Sequence, residues 1–308
     1  MGWHPAVADR SCVEFTRDGK EFEEIYCIYP WAKKFYFPFE YTFRPAFLYD
    51  FCHTHHWVPF ACVALYLAGI HYGQKYFETR PAWNLKGPMA AWNLLLSVFS
   101  FFGFIRCLPF VLHNIGTYGF EATLCNDPEN SLGQSITGVW VLFFVLSKIP
   151  ELFDTFFIVV HKKQLILLHW YHHASVLLAS WHTLVTHSPA GIIYTTVNFG
   201  VHFVMYFYYF LMAIKCKPKW FRPQWITIAQ ITQMVVGTVI SLWAFSLVHK
   251  EECWAKFENN SGILVMYVSY FLLFTQFFLN RFGYGINVSG TKQRNKNNKS
   301  TSKKDKAT

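Results

Sequence analysis

Residues 138–160 read GVWVLFFVLSKIPELFDTFFIVV, and after His161, Lys162 and Lys163 residues 164–185 read QLILLHWYHHASVLLASWHTLV. Each stretch is long enough to cross the roughly 30 Å apolar core of a bilayer as a helix, which takes about 20 residues. The apolar runs are continuous, not alternating, so helices are preferred to barrel strands, and a helix satisfies all its own backbone groups inside lipid. The short basic connection makes the two helices antiparallel neighbours. Both carry residues that lipid disfavours. Lys148, Glu151 and Asp154 recur every three residues and share a helix face with Thr155 adjoining, while His169, His172 and His173 share a face of the next helix. Pro150 removes a backbone donor and bends its helix locally. Ionisable groups inside spans are expensive and are functional candidates by default.

The rest of the chain extends this pattern. Its 308 residues are 53% hydrophobic, 20% aromatic and 15% charged, with a mean hydropathy of +0.20 and a formal net charge of +9. Soluble domains carry about 25% charged residues, so a disordered chain or a nucleic-acid-binding module is excluded. Seven segments satisfy a span-length window: 57–76, 88–112, 138–160, 164–185, 190–214, 224–248 and 262–281. The expected fold is therefore an all-α polytopic membrane protein of seven transmembrane helices. Residues 1–56 form an aromatic-rich interfacial segment, 57–283 the membrane domain, and 284–308 a disordered basic tail. One set of connections holds Lys75, Arg80, Lys86, Lys162, Lys163, Lys215, Lys217, Lys219 and Arg222, followed by eight basic residues after position 280. The opposite set, 113–137, 186–189 and 249–261, has only Lys250 and Lys256. Positive charge marks the cytosolic side, which puts the C-terminus in the cytosol and the N-terminus across the membrane. The first 52 residues have no signal-peptide core, so the first span is expected to serve as the targeting signal.

Lys304 and Lys306, close to the C-terminal residue, resemble a dilysine retrieval signal of the endoplasmic reticulum. None of the eight cysteines has zinc-site spacing, and no metal is expected. Cys125 and Cys253 fall in different loops on the non-cytosolic side, where oxidation is permitted, and are expected to pair. Asn259-Asn260-Ser261 is a glycosylation sequon on that side, close to the last span.

Two further polar stripes complete the pattern. On the fifth span Asn198, His202, Tyr206 and Tyr209 follow one face, with Tyr208 beside it; on the sixth, Thr227, Gln230 and Gln233 do the same. Such stripes also serve as interhelical hydrogen-bond glue, and Lys148 with Glu151 reads equally well as a structural ion pair. Depth favours a site, because His169 to His173 sit roughly 8 to 14 Å inside their helix at 1.5 Å per residue. The other stripes reach similar depths, so four helices point polar faces into one cytosolic-half chamber. Beyond it Leu177, Leu178, Ile240, Leu242 and Trp243 offer apolar lining, which suits a substrate with a charged head and a long hydrocarbon tail.

Taken in order and spacing, Lys148-x-x-Glu151-x-x-Asp154-Thr155, His169-x-x-His172-His173, Asn198-x-x-x-His202-x-x-Met205-Tyr206-x-Tyr208-Tyr209 and Thr227-x-x-Gln230-x-x-Gln233 resemble the motifs of the ELO/ELOVL very-long-chain fatty acid elongases. The resemblance spans residues 57–283. It implies a seven-helix enzyme of the endoplasmic reticulum membrane, an acyltransferase (3-oxoacyl-CoA synthase) enclosing a narrow acyl-chain pocket. Such an enzyme condenses a long-chain acyl-CoA with malonyl-CoA, releasing carbon dioxide and CoA, without a cofactor. A reductase, a dehydratase and an enoyl reductase would complete the cycle as partners, and self-association as a homodimer is left open. The implied catalytic residues are His169, His172, His173 and His202. Lys148, Glu151, Asp154, Asn198, Tyr206, Tyr209, Gln230 and Gln233 are the implied substrate-binding residues. Imidazoles act as base, donor or nucleophile near neutral pH. No cysteine lies beside the histidines, so an acyl-imidazole on His172 or His202 is the expected intermediate, with a direct ternary reaction as its rival. Trp140, Trp181 and Trp243 are candidates to close the pocket and set chain length. Trp170, Tyr171 and the run from Ile228 to Met234 look most like the branch acting on saturated and monounsaturated chains.

Two other classes compete. A membrane di-iron desaturase or hydroxylase also uses an HxxHH box, but His53-Thr54-His55-His56 has a different spacing and lies at the far end of the first span. A seven-helix receptor or carrier requires no histidine cluster, and internal repeats typical of carriers are absent.

Overall fold

The computed structural model describes residues 13–15, 21–43, 45–128, 135–250 and 253–283; Lys304, Lys306 and the tail lie outside them. A short antiparallel hairpin, β1 (Val13–Phe15) and β2 (Glu21–Glu23), precedes helices α1 (Ile25–Ile28), α2 (Pro38–Thr42) and α3 (Ala46–Thr54). Long helices then follow: α4 (Val58–Glu78), α5 (Lys86–Tyr118), the short α6 (Phe120–Cys125), α7 (Ile136–Glu151), α8 (Phe153–Val160), α9 (Leu167–Val185), α10 (Gly191–Ala213), α11 (Pro223–Leu247) and α12 (Phe257–Phe282). Four of these units are long and apolar enough to cross a membrane, namely α5, α7 with α8, α11 and α12. The chain is thus a multi-pass, all-helical membrane protein. Helices α4, α9 and α10, of 21, 19 and 23 residues, have the length but are less apolar. In α9 and α10 the polar stripes account for the shortfall.

Several boundaries differ from the sequence reading. Helix α5 extends to Tyr118 instead of ending near 112, and α12 starts at Phe257 instead of 262. The 138–160 segment is two helices, because Pro150 has no amide to donate. The chain tightens there into three-residue turns, Leu152 N–H to Ile149 O at 3.1 Å and Thr155 N–H to Leu152 O at 3.2 Å.

Neighbouring helices form a ring, α5–α10–α11–α12–α9–α7 and back to α5, while α4 packs outside it against α8 and α9. Glycine permits the tightest approach. The Phe199 ring of α10 lies where a side chain on Gly103 of α5 would stand, and the Phe104 ring of α5 covers Gly200 of α10 at 3.0 Å from its would-be Cβ. Reciprocal ring-on-glycine packing replaces the hydrophobic driving force that lipid removes.

Helices α8, α9 and α10 end in the same hydrogen-bonded cap, closed at Lys162, His187 and Lys215, each left-handed with φ between 52° and 61°. Glycine usually fills this position. Two of the side chains explain the exception: the Lys162 ammonium donates to the Glu78 and Arg80 carbonyls, and the His187 ring packs on Tyr49 and His53. Nothing in the structure explains Lys215.

The N-terminal segment is bound into the bundle. Glu40 of α2 receives Arg106 Nε at 2.7 Å, Arg106 Nη2 at 2.9 Å and the Trp140 indole at 2.7 Å, and Arg106 Nη2 also donates to the Phe35 carbonyl. The Tyr36 ring covers the guanidinium at 4.3 Å; burial raises the Tyr36 phenol above its ordinary pKa despite the arginine. Glu24 and Ser135 accept the amides of Ile136 and Gly138, capping α7. At the same end a Cys125–Cys253 disulfide joins α6 to the segment before α12. Cys27 is disulfide-bonded as well.

Candidate active site

The break after Pro150 sets where the polar face of α7 and α8 points. Before it, Lys148 Nζ donates to both oxygens of Glu151 at 2.7 and 2.9 Å, lies 4.1 Å from the Phe144 ring centroid, and is 2% exposed. Ser147 adds a third bond to Glu151 at 2.8 Å. Glu151 Oε2 stands 3.8 Å from His202 Nδ1 on α10. After the break, Asp154 accepts from Tyr206 OH of α10 and from the Trp92 indole of α5, both at 2.7 Å, and lies 3.9 Å from His173 Nε2. Thr155 joins His169 Nε2 at 2.9 Å and Tyr66 OH of α4 at 2.8 Å.

The histidines are in contact with one another. His169 and His173 have ring centroids 4.5 Å apart, and His172 and His173 5.6 Å. Lys148, Glu151, Asp154, His169, His172, His173, His202 and Tyr206 therefore make one cluster, buried or half-buried, drawn from four helices. His172 differs from its neighbours. Its ring leans on Tyr270 of α12 at 4.8 Å, its buried Nδ1 has no hydrogen-bond partner, and it lines a narrow cavity. Asn198 and Gln233 line the same cavity, and Asn198 Oδ1 is also buried without a partner.

From His172 the cavity runs between α7, α9, α10, α11 and α12, past Phe144, Val176, Ala179, Tyr194, Met234 and Tyr267, to Thr183, Leu184, Gly191 and Ile263. It is mainly apolar, but not through the residues expected. Leu177, Leu178 and Ile240 do not line it, and Leu242 and Trp243 are exposed on the outer face of α11. None of the three tryptophans closes it. Trp140 is engaged with Glu40, Trp181 donates to the Cys52 carbonyl, and Trp243 meets Phe120 edge to face. A helix wheel says which residues share a face, whereas the ring of helices decides which face turns inward.

Of the implied substrate-binding residues, Tyr209 and Gln230 join neither the polar cluster nor the cavity. Tyr209 is 45% exposed, and Gln230 donates to the Met205 sulfur. Conversely, Tyr66, Trp92, Ser147 and Tyr270 belong to the site and escaped the sequence reading. Tyr66 and Trp92 sit in spans without an ionisable stripe, so their only signal was an isolated polar aromatic. Of the loop lysines, Lys162 binds carbonyls at the end of α4 and Lys217 binds carbonyls within its own connection. Among the described residues no group of three His, Cys, Asp or Glu is placed to hold a metal ion. His53 packs against His187, beyond the opposite end of α9 from His169.

The chain matches the family model described as GNS1/SUR4 over residues 51–295. It is 41% identical to "Very long chain fatty acid elongase 6" of Gallus gallus over 215 residues, 70% of this chain and 80% of that protein. It is 39% identical to the protein of the same name from Drosophila melanogaster, over 72% of this chain and 71% of that one. Human "Very long chain fatty acid elongase 3" is 37% identical, over 71% of this chain and 80% of its own length. With a match running from α3 through α12 and a histidine cluster opening on an apolar cavity, the chain belongs to the ELO (GNS1/SUR4) family.

Proposed function

We propose that the chain is a fatty acid elongase that condenses a long-chain acyl-CoA with malonyl-CoA to a 3-oxoacyl-CoA two carbons longer. The observation that carries the reading is the position of His172, which belongs to the polar cluster and also lines the apolar cavity. A thioester carbonyl at His172 leaves its hydrocarbon tail in the cavity and its CoA moiety at the end where α8 and α9 meet.

In the proposed route the His172 imidazole attacks the thioester carbonyl, the C–S bond breaks, and CoA leaves as the thiol with the imidazole proton. Malonyl-CoA then loses carbon dioxide, and the resulting enolate carbon attacks the acyl-imidazole. The C–N bond breaks, a proton relayed from solvent through His173 or His202 restores the neutral His172 imidazole, and 3-oxoacyl-CoA departs. Asn198 and Gln233 are the carboxamides placed to donate to the developing oxyanions. His202, set by Glu151, and His173, set by Asp154, are placed to move protons. His169 is oriented through Thr155, and Lys148 is assigned to the malonyl carboxylate.

The same reading places all seven long helical units across the endoplasmic reticulum membrane, with the C-terminus cytosolic and the disulfide end luminal. Basic residues gathered at the α8–α9 and α10–α11 connections support it. Neither CoA substrate requires a cofactor here, and the reductases and dehydratase of the cycle are the proposed partners. The resemblance at Trp170 and Tyr171 and along the run from Ile228 to Met234 supports saturated and monounsaturated chains as substrates.

Purified protein given labelled malonyl-CoA and a panel of acyl-CoAs of graded length tests the reaction by mass spectrometry. A 3-oxoacyl-CoA two carbons longer than its donor is expected; no condensation by a folded preparation overturns the proposal. Acyl-CoA alone should release CoA and leave an acyl adduct on His172. Active enzyme that does neither would sink the covalent route.

A further inference from the structure

Behind the apolar lining at the end of the cavity remote from His172 lies a layer of buried polar side chains. On α12 the inward stripe runs Tyr270, Tyr267 and Ile263, all lining residues, and one turn further the same face presents Asn260 and Asn259. Both asparagines are 1% exposed. Asn259 Oδ1 accepts from Thr183 Oγ1 at 3.2 Å and pairs with His182 Nδ1 at 3.0 Å, and Thr183 itself lines the cavity. This burial also withdraws the Asn259 sequon from modification in the folded chain. Four atoms around this point are buried with no partner: Asn259 Nδ2, Asn260 Nδ2, Asn260 Oδ1 and Ser188 Oγ. Ser188 is joined to the cavity wall through its backbone, accepting from Gly191 N–H and donating to the Thr183 carbonyl.

An apolar tunnel that ended in methyl contacts would bury no unpaired amides, because each costs free energy unless something bonds to it. The unpaired atoms are uncharged and include both donors and an acceptor, which matches a hydroxyl and offers no counter-charge to a carboxylate. The distance also fits a chain terminus. Eleven residues of α9 separate His172 from Thr183, roughly 16 Å of helix.

We propose that Thr183, Ser188, Asn259 and Asn260 form a terminal subsite that accepts acyl chains hydroxylated at the ω carbon. The proposal rests on the elongase reading and on a thioester held at His172. With an unsubstituted chain, ordered water takes the place of the hydroxyl, bonding to the same amides.

The test measures kcat/KM for saturated acyl-CoAs of twelve to twenty-two carbons and for their ω-hydroxy counterparts. At one chain length the ω-hydroxy substrate should be used within about threefold of its parent, and Asn260→Leu should lower the ratio of hydroxylated to parent chain by about tenfold or more. Thr183→Val, which keeps the shape of the side chain, should lower the same ratio and serves where Asn260→Leu does not fold. Because each ratio is taken within one preparation, altered yield or stability cancels. Wild-type discrimination of tenfold or more against ω-hydroxy chains at every length overturns the subsite, as does an unchanged ratio in the folded variants. Failure to elongate any plain acyl-CoA would instead count against the elongase reading itself.

Discussion

Two regions of this bundle bury charge, and they do so to different ends. Around Arg106 the guanidinium, the Glu40 carboxylate, the Trp140 indole and the Phe35 carbonyl close on one another at 2.7 to 2.9 Å. Around His172 the carboxylates hold Lys148, Tyr206 and Trp92 as tightly, but their approach to the histidines is looser, 3.8 Å from Glu151 to His202 and 3.9 Å from Asp154 to His173, and His172 Nδ1 is unpartnered beside a cavity. A buried network that satisfies itself has no capacity left for a substrate. One that leaves a nucleophile unpaired at the mouth of an apolar cavity keeps that capacity at a cost in stability.

Substitution at the two centres should separate these roles. His172→Ala is expected to abolish condensation, by at least about a thousandfold, without lowering the melting temperature of the detergent-solubilised protein. Residual activity within tenfold of wild type would mean that His172 is not the nucleophile. Glu40→Ala should do the reverse. It leaves Arg106 buried and unpaired and costs about 3–5 kcal/mol of stability, read as a lower melting temperature, while correctly folded molecules still turn over. Equal melting temperatures would show that water reaches Arg106 and that the network is not closed.

A smaller effect sharpens the boundary of the site. Tyr66→Phe removes the hydroxyl that holds Thr155, which in turn orients His169. We expect roughly a fivefold fall in kcat with KM little changed, since a hydrogen bond of this kind is worth about 1 kcal/mol. A change confined to KM would place Tyr66 in substrate binding instead.

The smallest perturbation asks which end faces which compartment. Cys216, exposed in the α10–α11 connection, should react with a membrane-impermeant maleimide in sealed microsomes without permeabilisation. Cys52 is buried, and burial pushes its thiol up to about 12, so below that pH it stays protonated and unreactive until the chain unfolds. Cys216 labelling only after lysis would invert the proposed topology.

The helical fold was legible because lipid imposes one rule, that every backbone group be satisfied locally, and long apolar runs can meet it only as helices. The stripe spacing also named most of the cluster, since Lys148, Glu151 and Asp154, or His169, His172 and His173, are brought onto one face by helix geometry alone. Residues contributed singly by distant helices were not legible. Tyr66, Trp92 and Tyr270 carry no period, and their membership depends on which helix happens to lie beside which. The tryptophans misled for a related reason. A large aromatic near a span end fits a pocket stopper, an interfacial anchor or a hydrogen-bond donor, and only its neighbours choose among them.

The sequence by itself determined the number and approximate limits of the long helices, the asymmetry of charge between the two sets of loops, and the composition of each polar stripe. These follow from local rules of length, period and charge that need no knowledge of neighbours. Only the tertiary structure decided that α4 stands outside a six-helix ring, that Glu40 reaches Arg106 across 66 positions of sequence, and that no tryptophan lines the cavity. Those outcomes depend on side chains from remote segments filling the same space, and the free energy of that packing belongs to the assembled ring, not to any one helix.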